Sequence, residues 1–199
     1  AKTSLSKKQI LSTAMKSQHR GPDNTMILDS GENTFVFHRL SIMDTSMKGN
    51  QPMMHPEDSN LILLCNGEIY NYQQLFEKYK YIATSGSDCE IILHLYKQFG
   101  MKETVRQLDG AFAFVLYDKT QNKVYAGRDP FGIRSLYIGF TSDNNIVFSS
   151  ELKSVAPICA YSRHFTPGCW WSSDMPYKYN FYEKLKFSYY TTMDAVNHA

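Results

Sequence analysis

The run Ala111-Phe-Ala-Phe-Val-Leu-Tyr117 constrains this 199-residue chain more than any other stretch. Seven apolar residues without a polar break, closed off by Asp109-Gly110 and Asp118, form a strand that must be covered on both faces. Short strands are predicted to follow at Lys123 to Gly127, Ser135 to Phe140 and Ile146 to Ser150, with turn-forming residues between them. The spacing reads as one antiparallel meander. Stacked sheets with helices outside satisfy such a strand, so a layered α+β domain is expected.

A second apolar run, Leu61 to Cys65, predicts another buried strand, and it stops on Asn66-Gly67-Glu68. An amide, an unhindered backbone N–H and a carboxylate then stand together at a strand end, where a small polar ligand can be held. Hydrogen-bond donors are what an oxyanion requires, and glycine lets the backbone approach a ligand closely. An ordinary Asn-Gly turn accounts for the same residues.

Ser6 and Gln9 are spaced as a capping box ahead of a helix over about Lys7 to Gln18, which Gly21 and Pro22 terminate. Thr34 to His38 reads as a strand that delivers Arg39, and Thr45 to Asn60, with Gly49, Pro52 and Pro56, as a long loop. Tyr72 to Lys80 is predicted as a short helix. A better one begins near Ser87, with Ser87 and Glu90 spaced as a capping box and Gly100 at its C-terminal cap; another spans Met101 to Leu108. Asp88 then lies in a first helical turn, where favouring the helix dipole is explanation enough. Ser85-Gly86-Ser87-Asp88 lacks the second glycine of a pyrophosphatase loop, and no Gly-x-x-x-x-Gly-Lys run occurs.

Lys plus Arg number 21 against 19 Asp plus Glu, and the longest basic run is Lys7-Lys8, so neither nucleic acid nor another polyanion is indicated as a partner. No apolar stretch reaches membrane-spanning length and no signal-peptide core is visible; a soluble, cytoplasmic protein is expected. Cys65, Cys89, Cys159 and Cys169 follow neither zinc nor disulfide spacing and read as buried thiols. From Cys169 onward the chain carries Trp170, Trp171 and seven Tyr or Phe residues without a clear period, which serves either a partner surface or a wrap around the domain's own core.

Taken in order, His19-Arg-Gly-Pro-Asp23, His38-Arg-Leu-Ser-Ile42, Asn66-Gly-Glu-Ile-Tyr-Asn71, Ser87-Asp-Cys-Glu90, Leu108-Asp-Gly-Ala-Phe-Ala-Phe114, Gly127-Arg-Asp129, Gly132-Ile-Arg134 and Ser149-Ser-Glu-Leu-Lys153 resemble the N-terminal glutaminase domain of the glutamine-hydrolysing asparagine synthetases. The resemblance runs from about Ser17 to Gly168. It implies a four-layer αββα sandwich of the N-terminal-nucleophile hydrolase type, with a type 2 amidotransferase domain over 1–168 and an extension or linker over 169–199.

By the same resemblance, Asn66 and Gly67 form the oxyanion hole and Arg39 holds the α-carboxylate of glutamine, a task suited to a planar guanidinium. Leu40, Ser41, Ile42 and Met43 line the pocket, and Glu68 and Asp88 fix the amino and amide ends. No metal or cofactor belongs to this domain; ATP and magnesium would serve a synthetase domain on the same chain, and a homodimer is among the assemblies the family reading allows.

The family's mature chain opens on a cysteine nucleophile carried by a first strand, whereas this sequence opens on Ala1-Lys2-Thr3. The expectation is that the sequence as given lacks its nucleophile strand and its synthetase half and is inactive alone. Two alternatives are a non-catalytic glutamine-binding or interaction homologue and an amidotransferase with a different acceptor.

Overall fold

The computed structural model describes residues 5–40 and 49–174. The capping box forms as expected: the Ser6 hydroxyl accepts the Gln9 N–H while Gln9 Oε1 accepts the Ser6 N–H, opening α1 (Lys7–Ala14). The chain then tightens into a 3-10 helix over Met15–Arg20, so the α-helix ends four residues short of Gln18. β1 (Asn24–Ser30), which the sequence did not reveal, pairs antiparallel with β2 (Asn33–Arg39).

Five antiparallel strands form the main sheet, in the order β10-β6-β5-β4-β3. They are β3 (Met53–His55), β4 (Asp58–Ile69), β5 (Gly110–Asp118), β6 (Lys123–Arg128) and β10 (Trp170–Ser172). β3 lies inside the segment expected to be loop, because pairing of Met53 with Leu63 and Met54 with Ile62 gives those residues a strand conformation. β7 (Tyr137–Phe140), β8 (Ile146–Ser149) and β9 (Tyr161–His164) form a separate three-stranded sheet ordered β8-β7-β9. The expected single meander is therefore divided between two sheets, with the break in the Asp129–Arg134 loop.

β5 meets the demand its composition set. Phe112, Phe114 and Leu116 face one core together with Ile91, Ile92 and Leu95 of α3 (Glu90–Gln107) and Leu75 of α2 (Tyr72–Tyr79). On the other face Ala113, with Ala126 and Trp171 of its neighbours, packs against Leu136, Ile138 and Phe165 around the three-stranded sheet. The beginning of the aromatic run is thus part of the fold: Trp171 is buried and pairs with Ala126, while residues 175–199 lie outside the described residues.

α3 is broken at Gly100, whose φ of 73° is left-handed, and the second half restarts at Met101 as the sequence predicts. α4 (Leu152–Val155) packs on β7 from the side away from the main sheet, with Val155 and Cys159 against Gly139. Among the described residues no helix is long and apolar enough to cross a membrane.

Candidate functional site

β4 carries the site because its outer edge is only partly covered by another strand. β3 pairs with β4 up to Leu63. Beyond it the side chain of Gln51 stands in for a strand, with Nε2 donating to the Cys65 carbonyl at 2.9 Å and Oε1 accepting the Cys65 N–H at 2.6 Å. Two residues past Gly67, the Ile69 N–H donates to Asp88 Oδ2 at 2.5 Å. The interval between these two contacts contains Asn66 and Gly67.

Asn66 pairs with Ala113 and Gly67 with Phe112 across the β4–β5 ladder. A Cβ on Gly67 would overlap the Ala111 carbonyl oxygen and lie 2.6 Å from the Phe112 Cα, so only glycine fits so close to β5. Asn66 Nδ2 is buried with no hydrogen-bond partner. An unpaired buried donor is costly, and such groups concentrate at sites that a ligand completes.

Arg39 is 6% exposed at the end of β2, and its Nη1 donates to Asn50 Oδ1 at 2.5 Å. Asp88 is 5% exposed; burial raises its carboxyl above the ordinary range, against the pull of the Ile69 N–H. Glu68 is exposed at the rim and Leu40 is exposed beside Arg39. Arg39, Leu40, Asn66, Gly67, Glu68 and Asp88 all line one cavity of about 850 Å³. Ser41, Ile42 and Met43 lie outside the described residues.

The cavity extends from the Asn66 end between the β2 and β8 edges, both of which line it. Arg134 Nε and Asn145 Nδ2, the other two buried side-chain nitrogens left unpaired among the described residues, line it as well. Three orphaned donors around one space make a surface suited to oxygen acceptors.

Sequence reasoning gave no site role to Gln51, Asn50, Arg134 or Asn145: the first two act through contacts with no local signature, and the other two are marked only by their unpaired nitrogens around the cavity. It also misassigned Glu90. The Ser87–Glu90 capping box does not form: Ser87 Oγ accepts the Cys89 N–H, the residue at the N-cap is Cys89, and the Glu90 carboxylate turns back onto Thr84 and Ser85.

The Cys65 thiol and burial together push Cys89 well above its ordinary value, and burial pushes Cys159 up to about 11. Cys65 and Cys169 are buried. Among the described residues no three His, Cys, Asp or Glu side chains converge in a way that could hold a metal ion.

The α+β fold agrees with what the comparisons find. Residues 1–169 match the model of the glutamine amidotransferase domain, and the chain belongs to that family, in its class II branch. Its relatives include asparagine synthetase [glutamine-hydrolyzing] 1 of Arabidopsis thaliana, 38% identical over 168 residues, and a probable asparagine synthetase of Dictyostelium discoideum, 42% identical over 171. Asparagine synthetase B of Escherichia coli K12 is 36% identical over 193 residues, covering 96% of this chain and 34% of its own length.

The first two matches each cover 84% of this chain, but only 28% and 30% of the relatives. The chain therefore spans about a third or less of these proteins. Among solved structures, the glutamine phosphoribosylpyrophosphate amidotransferase of B. subtilis superposes with a TM-score of 0.68 at 24% identity, over 90% of this chain and 47% of the other. That likeness concerns the fold alone.

Proposed function

We propose that this domain binds glutamine and hydrolyses it to glutamate and ammonia, as the glutaminase part of an asparagine synthetase-like enzyme. The observation that carries the reading is the orphaned Asn66 Nδ2 next to Gly67, at the uncovered interval of β4. Two donors there would hold the oxygen that becomes negative when the glutamine amide carbon turns tetrahedral. Arg39 takes the α-carboxylate, and Glu68 and Asp88 take the amino and amide ends. Leu40 lines the pocket, and the family resemblance assigns the same role to Ser41, Ile42 and Met43. A zwitterion with a neutral tail needs this division of charge, and the six described residues share one cavity.

The nucleophile comes from a strand bearing an N-terminal cysteine, seated between β2 and β8. Its sulfur adds to the amide carbon, its α-amino group takes the thiol proton and delivers it to the departing ammonia, and water then releases glutamate from the thioester. Such a strand would join β1-β2 to β8-β7-β9 in one sheet. We read the whole as a four-layer αββα sandwich, supported by α2 and α3 on one side of the main sheet and by α4 outside β7.

The ammonia would serve ATP- and magnesium-dependent amidation of aspartate in a synthetase domain of the same, longer protein. The test is glutamate release by three proteins: the chain as given, the chain preceded by a processed strand beginning with cysteine, and the latter with Asn66→Ala. No turnover, turnover, and turnover reduced about a hundredfold to a thousandfold are expected in that order. Turnover by the first protein overturns the nucleophile assignment, and full activity of the third overturns the oxyanion role. The first protein should also bind glutamine, and Arg39→Ala should abolish that binding; equal affinities would remove the carboxylate clamp.

A further inference from the structure

The turn that delivers Asp88 is organised around a single buried carboxylate. Glu90 is 2% exposed. Its Oε1 accepts the Thr84 N–H and hydroxyl, each at 2.9 Å, and its Oε2 accepts the Ser85 N–H at 2.7 Å and the Ser85 hydroxyl at 2.5 Å. Oε1 also meets His94 Nε2 at 3.2 Å, and the His94 ring is stacked on Tyr81 and set edge-on to His55. Burial raises the Glu90 carboxyl, but the donors from His94, Ser85 and Thr84 outweigh it and bring it down to about 2.

A glutamate in the first turn of a helix ordinarily favours the dipole or caps a free N–H of the same helix. Here all four donors from the main chain and hydroxyls belong to Thr84 and Ser85, ahead of α3. The segment from Ser85 to Asp88 is thus tied at one end to Glu90 and at the other to Ile69 through Asp88 Oδ2.

We propose that Glu90 is a positioning residue for the ligand: by fixing Thr84 and Ser85 it sets where the Asp88 carboxylate stands relative to Asn66 and Gly67. The inference rests on the reading of Asp88 as a glutamine contact, and Glu90 acts on the ligand only through Asp88. Glutamine at position 90 keeps one acceptor oxygen but turns an NH₂ group onto a pair of donors, so the tie at Ser85 or Thr84 is lost while volume is conserved.

The experiment is a double-mutant cycle by calorimetric titration of glutamine into the unsubstituted protein, Glu90→Gln, Asp88→Asn and the double variant. All are measured at a temperature where circular dichroism shows each folded. Glu90→Gln should weaken binding about tenfold in the original background and add no loss in the Asp88→Asn background. Equal losses in both backgrounds, or none in either, overturn the proposal. Ser85→Ala, which removes one hydroxyl from the same carboxylate, should give a smaller loss in the same direction even where Glu90→Gln does not fold.

Amide exchange reads the positioning independently of the ligand. The Ile69 N–H, held by Asp88, should exchange faster in Glu90→Gln or Ser85→Ala. Unchanged exchange refutes the positioning whether or not glutamine binds, whereas faster exchange without any glutamine binding refutes the reading of the cavity and leaves the tie intact.

Discussion

Replacing Gln51 tests whether a side chain can substitute for a strand. Gln51 is buried and its amide makes two hydrogen bonds to the backbone of Cys65, also buried. In Gln51→Met the volume is nearly kept, but the Cys65 N–H and C=O both lose their partners. A buried polar group left unpaired costs about 1–3 kcal/mol, so the pair is worth about 2–6 kcal/mol.

Both residues line the cavity, and water entering there would replace part of the loss, which places the expected value near 2–3 kcal/mol. With a urea slope of about 2 kcal/mol per molar, the middle of the range for small domains, the unfolding midpoint should fall by about 1 to 1.5 M with the slope unchanged. Equilibrium urea unfolding followed by circular dichroism provides the measurement. A shift below about 0.3 M would show that the Cys65 groups find partners as good without Gln51, and the account of how this edge is held would fail.

Gly67→Ala forces a Cβ into the β5 backbone and should lower the melting temperature by about 6–12 °C, the equivalent of about 3 kcal/mol. Gly100→Ala meets open space and costs only its backbone conformation (φ 73°, ψ 171°), about 1–3 kcal/mol; a loss in Gly67→Ala no larger than in Gly100→Ala would remove the packing argument. Burial, with His94 and Lys97 close by, lowers His55 from 6.5 to about 4, against the opposing pull of Glu57 and Asp58. The unfolded chain therefore binds a proton at His55 that the folded chain refuses between those values. This contribution to stability is complete above pH 6.5, declines as the pH falls to about 4 and then levels off. Urea midpoints for the original protein and for His55→Gln across that range should diverge in slope, and parallel slopes would refute the assignment.

Some of the local structure was legible in the sequence. The Ser6–Gln9 box and the Gly100 break each depend on residues within a few positions of one another, whereas the Leu61 strand does not stop on Asn66 as expected: pairing of Asn66 through Ile69 with Ala113 through Gly110 carries β4 on to Ile69. β1 was not read from the sequence, since its apolar run, Met26-Ile27-Leu28, is only three residues long and Ile27 is exposed; the strand is made by its pairing with β2. Nor does alternation tell whether successive strands share a sheet, which is why the separation of β7 from β6 was missed.

Among the site residues, motif order led to Arg39, Asn66, Gly67, Glu68 and Asp88, which line one cavity. The bonds from Gln51 to Cys65 span 14 positions and left no trace in composition or spacing.

The Asp129–Arg134 loop has no regular secondary structure, yet its backbone is fastened from both sides. The Asp129 carboxylate accepts the N–H groups of Phe131, Ile133 and Arg134. The Arg128 guanidinium donates to the carbonyls of Gly132, Arg134 and Phe165. Phe131 and Ile133 meanwhile point outward, 63% and 61% exposed. For mutational tolerance this separates length from identity. The two exposed side chains can be exchanged for polar ones with every backbone tie kept, whereas inserting one residue anywhere between 129 and 134 would put the N–H and C=O groups out of step with the pair of charges that hold them. Among relatives and in selected libraries, the loop should vary in letters at 131 and 133 and keep its number of residues.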